Sequence, residues 1–431
     1  MVKLTAKFSF MEEYKLSDIA EVRTGPFGSQ LHNEDYVSTG TPIVTVEHLG
    51  NRRFSKQNLP LVSDDDKKRL SKYLLQEGDI VFSRVGSVDR CSYVTSAEND
   101  WLFSGRCLRV RCGNNCHPLF LYYYFCKESV KQYIKSIAVG ATMPSINTKL
   151  MAEIPILLPK LEEQRCIADI LSSFDDKIEL NRRINDNLEQ QAQALFKAWF
   201  VDFEPFKDGE FVDDDFGRRP YGWNVKPLKY LVEKVKSGDW GKDEQMGNHT
   251  MRTFCMRGAD FPDIKEGSKG KMPIRYILEK NFREKTLCDG NVVVEISGGS
   301  PTQSTGRIVL IDKTFIADCD NALICTNFCK SLEIKESFSL FFYFLWQYLY
   351  DKKVMFIYEN GSNGLKNLNI NSLLERELFV IPPKEIISRF NLVVSLLLSK
   401  KQANGIEISR LASLRDTLLP KLMSGNMSFD Y

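Results

Sequence analysis

The sequence predicts an α+β protein: two similar mixed α/β domains separated by two long antiparallel coiled-coil helices, the whole forming a pseudo-two-fold internal repeat. Three observations predict it. Segments of the first half recur, in order, in the second half at an offset that grows from 212 to 223 positions. Each half carries short β-branched runs, then an aromatic helix, then a proline-bounded strand. Each half closes on apolar residues alternating in steps of three and four over about four heptads, the spacing of a coiled-coil seam rather than a broad globular face.

Composition sets the frame. The 431 residues are 43% hydrophobic and 26% charged, as in an ordinary globular protein, and this excludes a disordered, collagen-like or membrane chain. Lys and Arg total 58 against 56 Asp and Glu, so the net charge of +2 supplies no global field toward a polyanion. Any nucleic-acid contact must come from local patches. Eleven cysteines without a signal peptide read as reduced thiols. The longest aromatic-apolar run, Ser339 to Tyr350, is too short to span a bilayer. A cytoplasmic protein with no membrane partner is expected.

The elements follow in chain order. Leu16, Ile19 and Glu21 return as Leu228, Leu231 and Glu233, and Leu75-Gln-Glu-Gly78-Asp-Ile-Val81 returns as Leu287-Cys-Asp-Gly290-Asn-Val-Val293. Strands are expected over Gly78–Phe82 and Asn291–Glu295, each entered through a glycine turn. The aromatic blocks Leu119–Phe125 and Leu340–Trp346 read as helix core. Gly/Asn/Ser loops follow at Gly140–Thr148 and Gly361–Asn369. The proline-bounded strands are Ile154–Pro159 and Glu377–Pro383. These marks divide the chain into a first domain (1–159), a long helix (160–203), an acidic Gly/Pro-containing linker (204–222), a second domain (223–383) and a second long helix with its tail (384–431).

The seam of the first helix runs through Leu171, Phe174, Ile178, Asn181, Asn185, Leu188, Ala192, Leu195 and Trp199. Its counterpart runs through Val394, Leu397, Lys401, Asn404, Ile408, Leu411, Arg415, Leu418 and Leu422. About 40 residues of helix extend about 60 Å, a ruler for something long and periodic. Asn181 and Asn404 occupy equivalent seam positions near the helix centres, and an antiparallel pair should bring them together to fix register. The alternative has both asparagines in solvent, with Ile184 and Ile406 carrying the packing.

Catalytic signatures are missing from the sequence. It has no G-x-G-x-x-G after a strand, no G-x-x-x-x-G-K-[ST], no H-E-x-x-H, no [DN]-P-P-[FYW] and no G-x-S-x-G. Gly298–Gly306 has the look of a phosphate loop without its lysine. Cys107, Cys112, Cys116 and His117 have four potential zinc ligands at unusual spacing, and ordinary thiols are the better reading. No catalytic residue and no metal site is therefore assigned. Basic residues cluster at Arg52, Arg53, Arg84, Arg90 and Lys149, with Lys67–Arg69, Arg106, Arg109 and Arg111 near them. The second half offers Lys269, Lys271 and Arg275, followed by Lys280, Arg283 and Lys285. Arginine suits bidentate reading of guanine and lysine suits phosphate, so the first five and Lys269, Lys271 and Arg275 are the candidate DNA contacts.

Leu75–Ser83, Gly140-Ala-Thr-Met-Pro-Ser-Ile146, Ile156-Leu-Leu-Pro-Lys-Leu-Glu-Glu-Gln164 with Ile167–Leu171, and Leu195–Phe203 together resemble the specificity subunit of type I restriction–modification enzymes. The likeness covers essentially the whole chain, although Pro383-Lys-Glu-Ile386 departs from the Leu-Glu-Glu-Gln junction of the first half. The resemblance implies a DNA-binding, non-catalytic host-defence subunit. Its two target recognition domains would each read one half of a bipartite, asymmetric site in double-stranded DNA. It also implies docking of two methyltransferase subunits, which carry S-adenosylmethionine for adenine methylation, and of translocating restriction subunits using ATP and Mg; the chain itself would bind no cofactor. Two other classes stay open, a self-contained DNA-modifying enzyme with a cryptic cofactor site and a protein-binding scaffold.

Overall fold

The computed structural model describes residues 4–5, 11–26, 30–298, 303–362, 365–424 and 428–429. The chain forms two compact units, Met1–Asp176 with Leu411–Tyr431, and Lys177–Arg410.

In the first unit, β1 (Glu12–Lys15) leads into β2 (Ala20–Thr24), β3 (Thr41–Val44), β4 (Ile80–Ser83), β5 (Cys91–Tyr93), β6 (Leu102–Phe103) and β7 (Cys107–Cys112). The main sheet has the order β2-β7-β4-β5 and is antiparallel throughout, while β3 pairs in parallel with β6. Strand β4 is buried on both faces, which is why it reads as an unbroken apolar run. Its alternate residues serve two cores: Ile80 and Phe82 pack with the aromatic helix α1 (Pro118–Cys126), and Val81 packs with Ile43, Val44 and Phe103. The unit closes by pairing β8 (Pro155–Leu158) with β1, and α2 (Leu161–Phe200) begins three residues later.

The second unit repeats this plan. The strands that correspond are β9 (Asn224–Pro227), β10 (Val232–Ser237), β11 (His249–Met256), β12 (Val292–Glu295), β13 (Ile308–Leu310), β14 (Leu323–Cys325) and β15 (Cys329–Ile334). The sheet order β10-β15-β12-β13 matches the first, and β11 pairs in parallel with β14. Val292 and Val294 face the core around the aromatic helix α3 (Ser339–Asp351), and Val293 faces the other core. Strand β16 (Leu378–Ile381) pairs with β9 as β8 does with β1, ahead of α4 (Lys384–Leu422).

The repeat extends to single hydrogen bonds. The turn before β4 needs Gly78 at φ +93°, and the turn before β12 needs Gly290 at φ +79°. In each, the next residue's side chain closes the turn: Gln76 N–H donates to Asp79 Oδ2 (2.8 Å), and Cys288 N–H to Asn291 Oδ1 (3.0 Å). Gly25 and Gly238 follow β2 and β10 where the backbone passes the parallel pair. A Cβ there would lie 2.3 Å from Ser104 O or 2.0 Å from Thr326 O, so only glycine fits.

Along the long helices, every seam position named from the sequence is buried or half-buried, whereas Leu180, Leu392, Leu396, Ile406 and Leu414 are exposed. Asn181 (1% exposed) and Asn404 (3%) lie inside, which disposes of the solvent-facing alternative. They do not meet, however. Asn404 Nδ2 donates to Asn185 Oδ1 (2.9 Å), and Asn181 Nδ2 donates to Glu407 Oε2 (2.9 Å). Lys401 pairs with Glu189 at 2.8 Å, so ascending positions on α2 meet descending positions on α4 and the pairing is antiparallel, one helical turn from the expected register. Charged residues favour the shift: this alignment gives the largely buried Glu189 its partner Lys401, and the half-exposed Glu407 accepts from Asn181. Burial pushes the Glu189 carboxyl up, but the charge and hydrogen bond of Lys401, helped by Lys265 and Gln347, outweigh it and hold it below its usual range.

The segment 204–222, expected as a linker, is folded. It contains a 3-10 turn (Glu204–Phe206) and a two-stranded hairpin, with Phe203 and Phe206 stacked edge-on against Trp223. Among the described residues no helix is long and apolar enough to cross a membrane, and no group of three or more His, Cys, Asp or Glu side chains is placed to hold a metal ion.

Candidate nucleic-acid interface

In the first unit, chain leaving β4 meets the tight turn before β7. Arg84 N–H donates to Arg106 O (2.8 Å), its carbonyl accepts from Ile146 N–H (2.9 Å), and its Nη1 donates to Gly105 O (3.1 Å). The loop 139–147 is stapled alongside by paired Val139–Ser145 backbone bonds of 2.9 and 2.8 Å and by Gly86 N–H to Pro144 O. Three loops thus converge beside a groove of about 600 Å³ lined by Thr45, Glu47, His48, Asn58, Arg84 and Arg106. His48 serves the fold, its ring bonded to Thr45 and Gln57 O. A second hollow of about 680 Å³ is lined by Gly86 and Pro144 of these loops, with Asn51, Arg90, Lys131 and Lys135 on its walls. Loops fixed by a rigid sheet and carrying cations are the usual means of presenting side chains to a duplex.

The candidate contacts separate into two groups. Arg90, Lys149 and Lys271 are exposed, and Arg53, Arg84 and Lys269 are half-buried. Arg52 and Arg275 are committed within the protein. Arg52 (side chain 12% exposed) donates to Asp176 at 2.8 Å and lies 4.0 Å from Asp175. Burial works against its charge, but Tyr123, Asp176 and Asp175 more than compensate and raise its pKa. Arg275 donates to Trp240 O (2.8 Å), pairs with Asp243 and stacks 4.2 Å from the Trp240 ring centre. Arg109 is likewise buried against Glu21, and Arg111 grips Asp79 through two bonds of 2.6 and 2.7 Å. A run of basic letters shows charge but not the acid, distant in sequence, that neutralises it.

The equivalent corner of the second unit has the same backbone and different side chains. Ile296 N–H donates to Phe328 O (2.9 Å), matching Arg84 and Arg106. Glu295 takes both arms of Arg307 at 2.7 and 2.8 Å. Of the loop Gly298–Gly306, residues 299–302 lie outside the described residues; the stretch Gly361–Asn369, expected as a loop, is mostly sheet, with Leu365–Leu368 paired antiparallel to Glu359–Ser362 and residues 363–364 outside the described residues. Sequence reasoning missed Phe328, and only the alignment of its turn with Ser104–Cys107 could have found it. It also missed the work of Gln164 at the helix junction. That side chain, 1% exposed, accepts from His117 N–H (2.8 Å) and donates to Pro159 O (2.9 Å), tying the start of α2 to that of α1. In the second half Ile387 stands there and packs into the apolar core instead.

One sheet built twice, each copy resting on a stretch of both long helices and presenting its own loops, defines a duplicated tandem-domain protein. Residues 9–190 match the family model described as the type I restriction modification DNA specificity domain. The chain is 28% identical to the type I restriction enzyme MjaIX specificity subunit of Methanocaldococcus jannaschii, over 96% of this chain and 92% of that one. It is 24% identical to the HindI specificity subunit of Haemophilus influenzae, over 96% and 99%. The fold is similar to that of the type I restriction-modification S subunit from M. genitalium (TM-score 0.57, 16% identity, 96% of each chain). Over nearly its whole length the chain is thus similar to specificity subunits of type I restriction–modification enzymes.

Proposed function

We propose that this chain is the DNA-recognition subunit of a type I restriction–modification complex, reading a bipartite, asymmetric site with its two domains. The observation that carries the reading is the repeated corner: one backbone presents Arg84 and Arg106 in the first copy and Ile296 and Phe328 in the second. Two copies of one scaffold with unlike side chains suit two unlike half-sites. A near-neutral chain also keeps sequence-blind attraction to phosphate low, so discrimination falls to these side chains.

On this reading Arg53, Arg84, Arg90, Arg106 and Lys149 contact DNA in the first half, and Lys269 and Lys271 in the second. Arg52 and Arg275 leave the contact set and act as positioning residues. The domains correspond to 1–159 and 223–383, and the seam helices set the distance between half-sites, so that engagement of one domain raises the effective concentration of the other. The subunit itself performs no catalysis. Two methyltransferase subunits supply S-adenosylmethionine chemistry and restriction subunits use ATP and Mg, all in the cytoplasm.

The test maps methylated adenines in DNA from cells expressing this chain with its methyltransferase partner. A two-part motif with a fixed spacer is expected, and insertion of four residues into both helices should change that spacer. Methylation that is independent of the chain, or confined to one contiguous motif, would overturn the reading.

A further inference from the structure

We propose that Phe328 is a specificity-determining residue of the second domain, its ring contacting the C5-methyl group of a thymine in the major groove. This rests on the DNA-reading function proposed above.

Phe328 is 64% exposed on the turn Thr326–Cys329. That turn is rigid: Cys329 N–H donates to Thr326 O (3.0 Å), Thr326 N–H to Met256 O (2.9 Å), and the Thr326 hydroxyl lies 3.8 Å from Cys329 Sγ. Its counterpart is Ser104–Cys107, with Cys107 N–H to Ser104 O at 2.9 Å, Ser104 N–H to Val44 O at 2.8 Å, and the Ser104 hydroxyl 3.7 Å from Cys107 Sγ. The third residue of each turn is exposed in both copies, Arg106 in the first and Phe328 in the second, where Asn327 beside it is exposed as well. The backbone therefore delivers both side chains from the same place on the same scaffold, and if Arg106 reaches base edges, so does Phe328.

Chemistry then chooses the base. A guanidinium matches the paired acceptors of guanine, while a phenyl ring has no hydrogen bond to offer. The one apolar feature of the major-groove edges is the thymine methyl. The neighbouring strand end agrees with an apolar contact: Ile296 stands where Arg84 does, and Arg307 is held by Glu295. The two domains thus differ in kind, a cationic reader of guanine and an apolar reader of thymine.

The experiment uses the full chain with its methyltransferase partner and duplexes carrying its mapped site. Each thymine of the second half-site is replaced in turn by deoxyuridine, which removes only the methyl. One such replacement should weaken wild-type binding about fivefold, the worth of one buried methyl group. Phe328→Ala should lose a similar factor on thymine DNA and become indifferent to that replacement. Arg106→Ala should keep the deoxyuridine sensitivity intact. The inference is overturned if no position responds, if Phe328→Ala stays as sensitive as wild type, or if 2-aminopurine reports Phe328-dependent unstacking, the mark of a wedge. Failure of the underlying reading looks different: wild type would then show no preference for the mapped site at all.

Discussion

The loop corners of the two domains share a skeleton and share almost nothing of their surface. Arg84 and Arg106 in one copy are replaced by Ile296 and Phe328 in the other, while the glycine turns, the parallel pairs and the hydrogen bonds beneath them correspond. Duplication preserved what the fold requires and left free what touches the outside. Three of the skeleton's requirements are visible as atoms: a glycine at each close approach, a strand buried on both faces, and a buried carboxylate joining the aromatic helix to the long pair.

The largest effects should come from breaking the shared part. Gly25→Val and Gly238→Val each drive a side chain into a backbone carbonyl, and each should cost about 3 kcal/mol or more in urea unfolding. If only one of them destabilises the protein, the two corners are not equivalent.

Next come the buried carboxylates. Asp175 accepts from Tyr123 (2.6 Å) and pairs with Arg415, with Arg52 close by, so Asp175→Ala leaves the Tyr123 hydroxyl without its acceptor and takes one of two carboxylates from each arginine, which keep Asp416 and Asp176; it should cost about 2 kcal/mol. In the second unit Lys401→Met leaves Glu189 without its main partner, at about 2 kcal/mol near pH 7. Because the folded Glu189 carboxyl is held below its usual pKa of 4.5, its contribution is complete above that value and fades as pH falls through the folded one. The stability gap between Lys401→Met and wild type should therefore narrow below about pH 4.5 in melts. A constant gap would remove Glu189 from the account.

Surface changes rank lower and sharpen the contrast between the readers. Arg84→Ala should weaken cognate binding about tenfold at fixed salt, with the loss confined to the first half-site. Unchanged affinity would mean that this arginine only braces its loop through Gly105 O. Lys149→Ala should have the smallest effect, lowering affinity for every DNA alike and reducing the salt dependence by about one ion. A sequence-selective loss would instead make Lys149 a base reader.

Much of this was legible in the chain itself. The slow growth of the offset located the repeat, and its apolar runs located β4 and β12. The parallel pairs β3–β6 and β11–β14 were not legible, because two- and three-residue strands joined to distant neighbours leave no periodic trace. The seam was legible as a face but not as a register. Spacing fixes which side of a helix is buried, and the alignment of two such sides depends on which charges find each other across them. Among the basic clusters, sequence showed where charge lies but could not separate Arg52 and Arg275, neutralised at a distance, from Arg90 and Lys271 at the surface.

Local chemistry and repetition determined by themselves that this protein is one mixed domain made twice, with a long helix after each copy. Tertiary structure alone decided that Asn404 meets Asn185, and that Arg106 and Phe328 occupy one and the same turn. The physical reason is that periodicity is written between near neighbours, whereas register, charge pairing and the equivalence of two surfaces arise only when segments far apart in the chain are brought into contact.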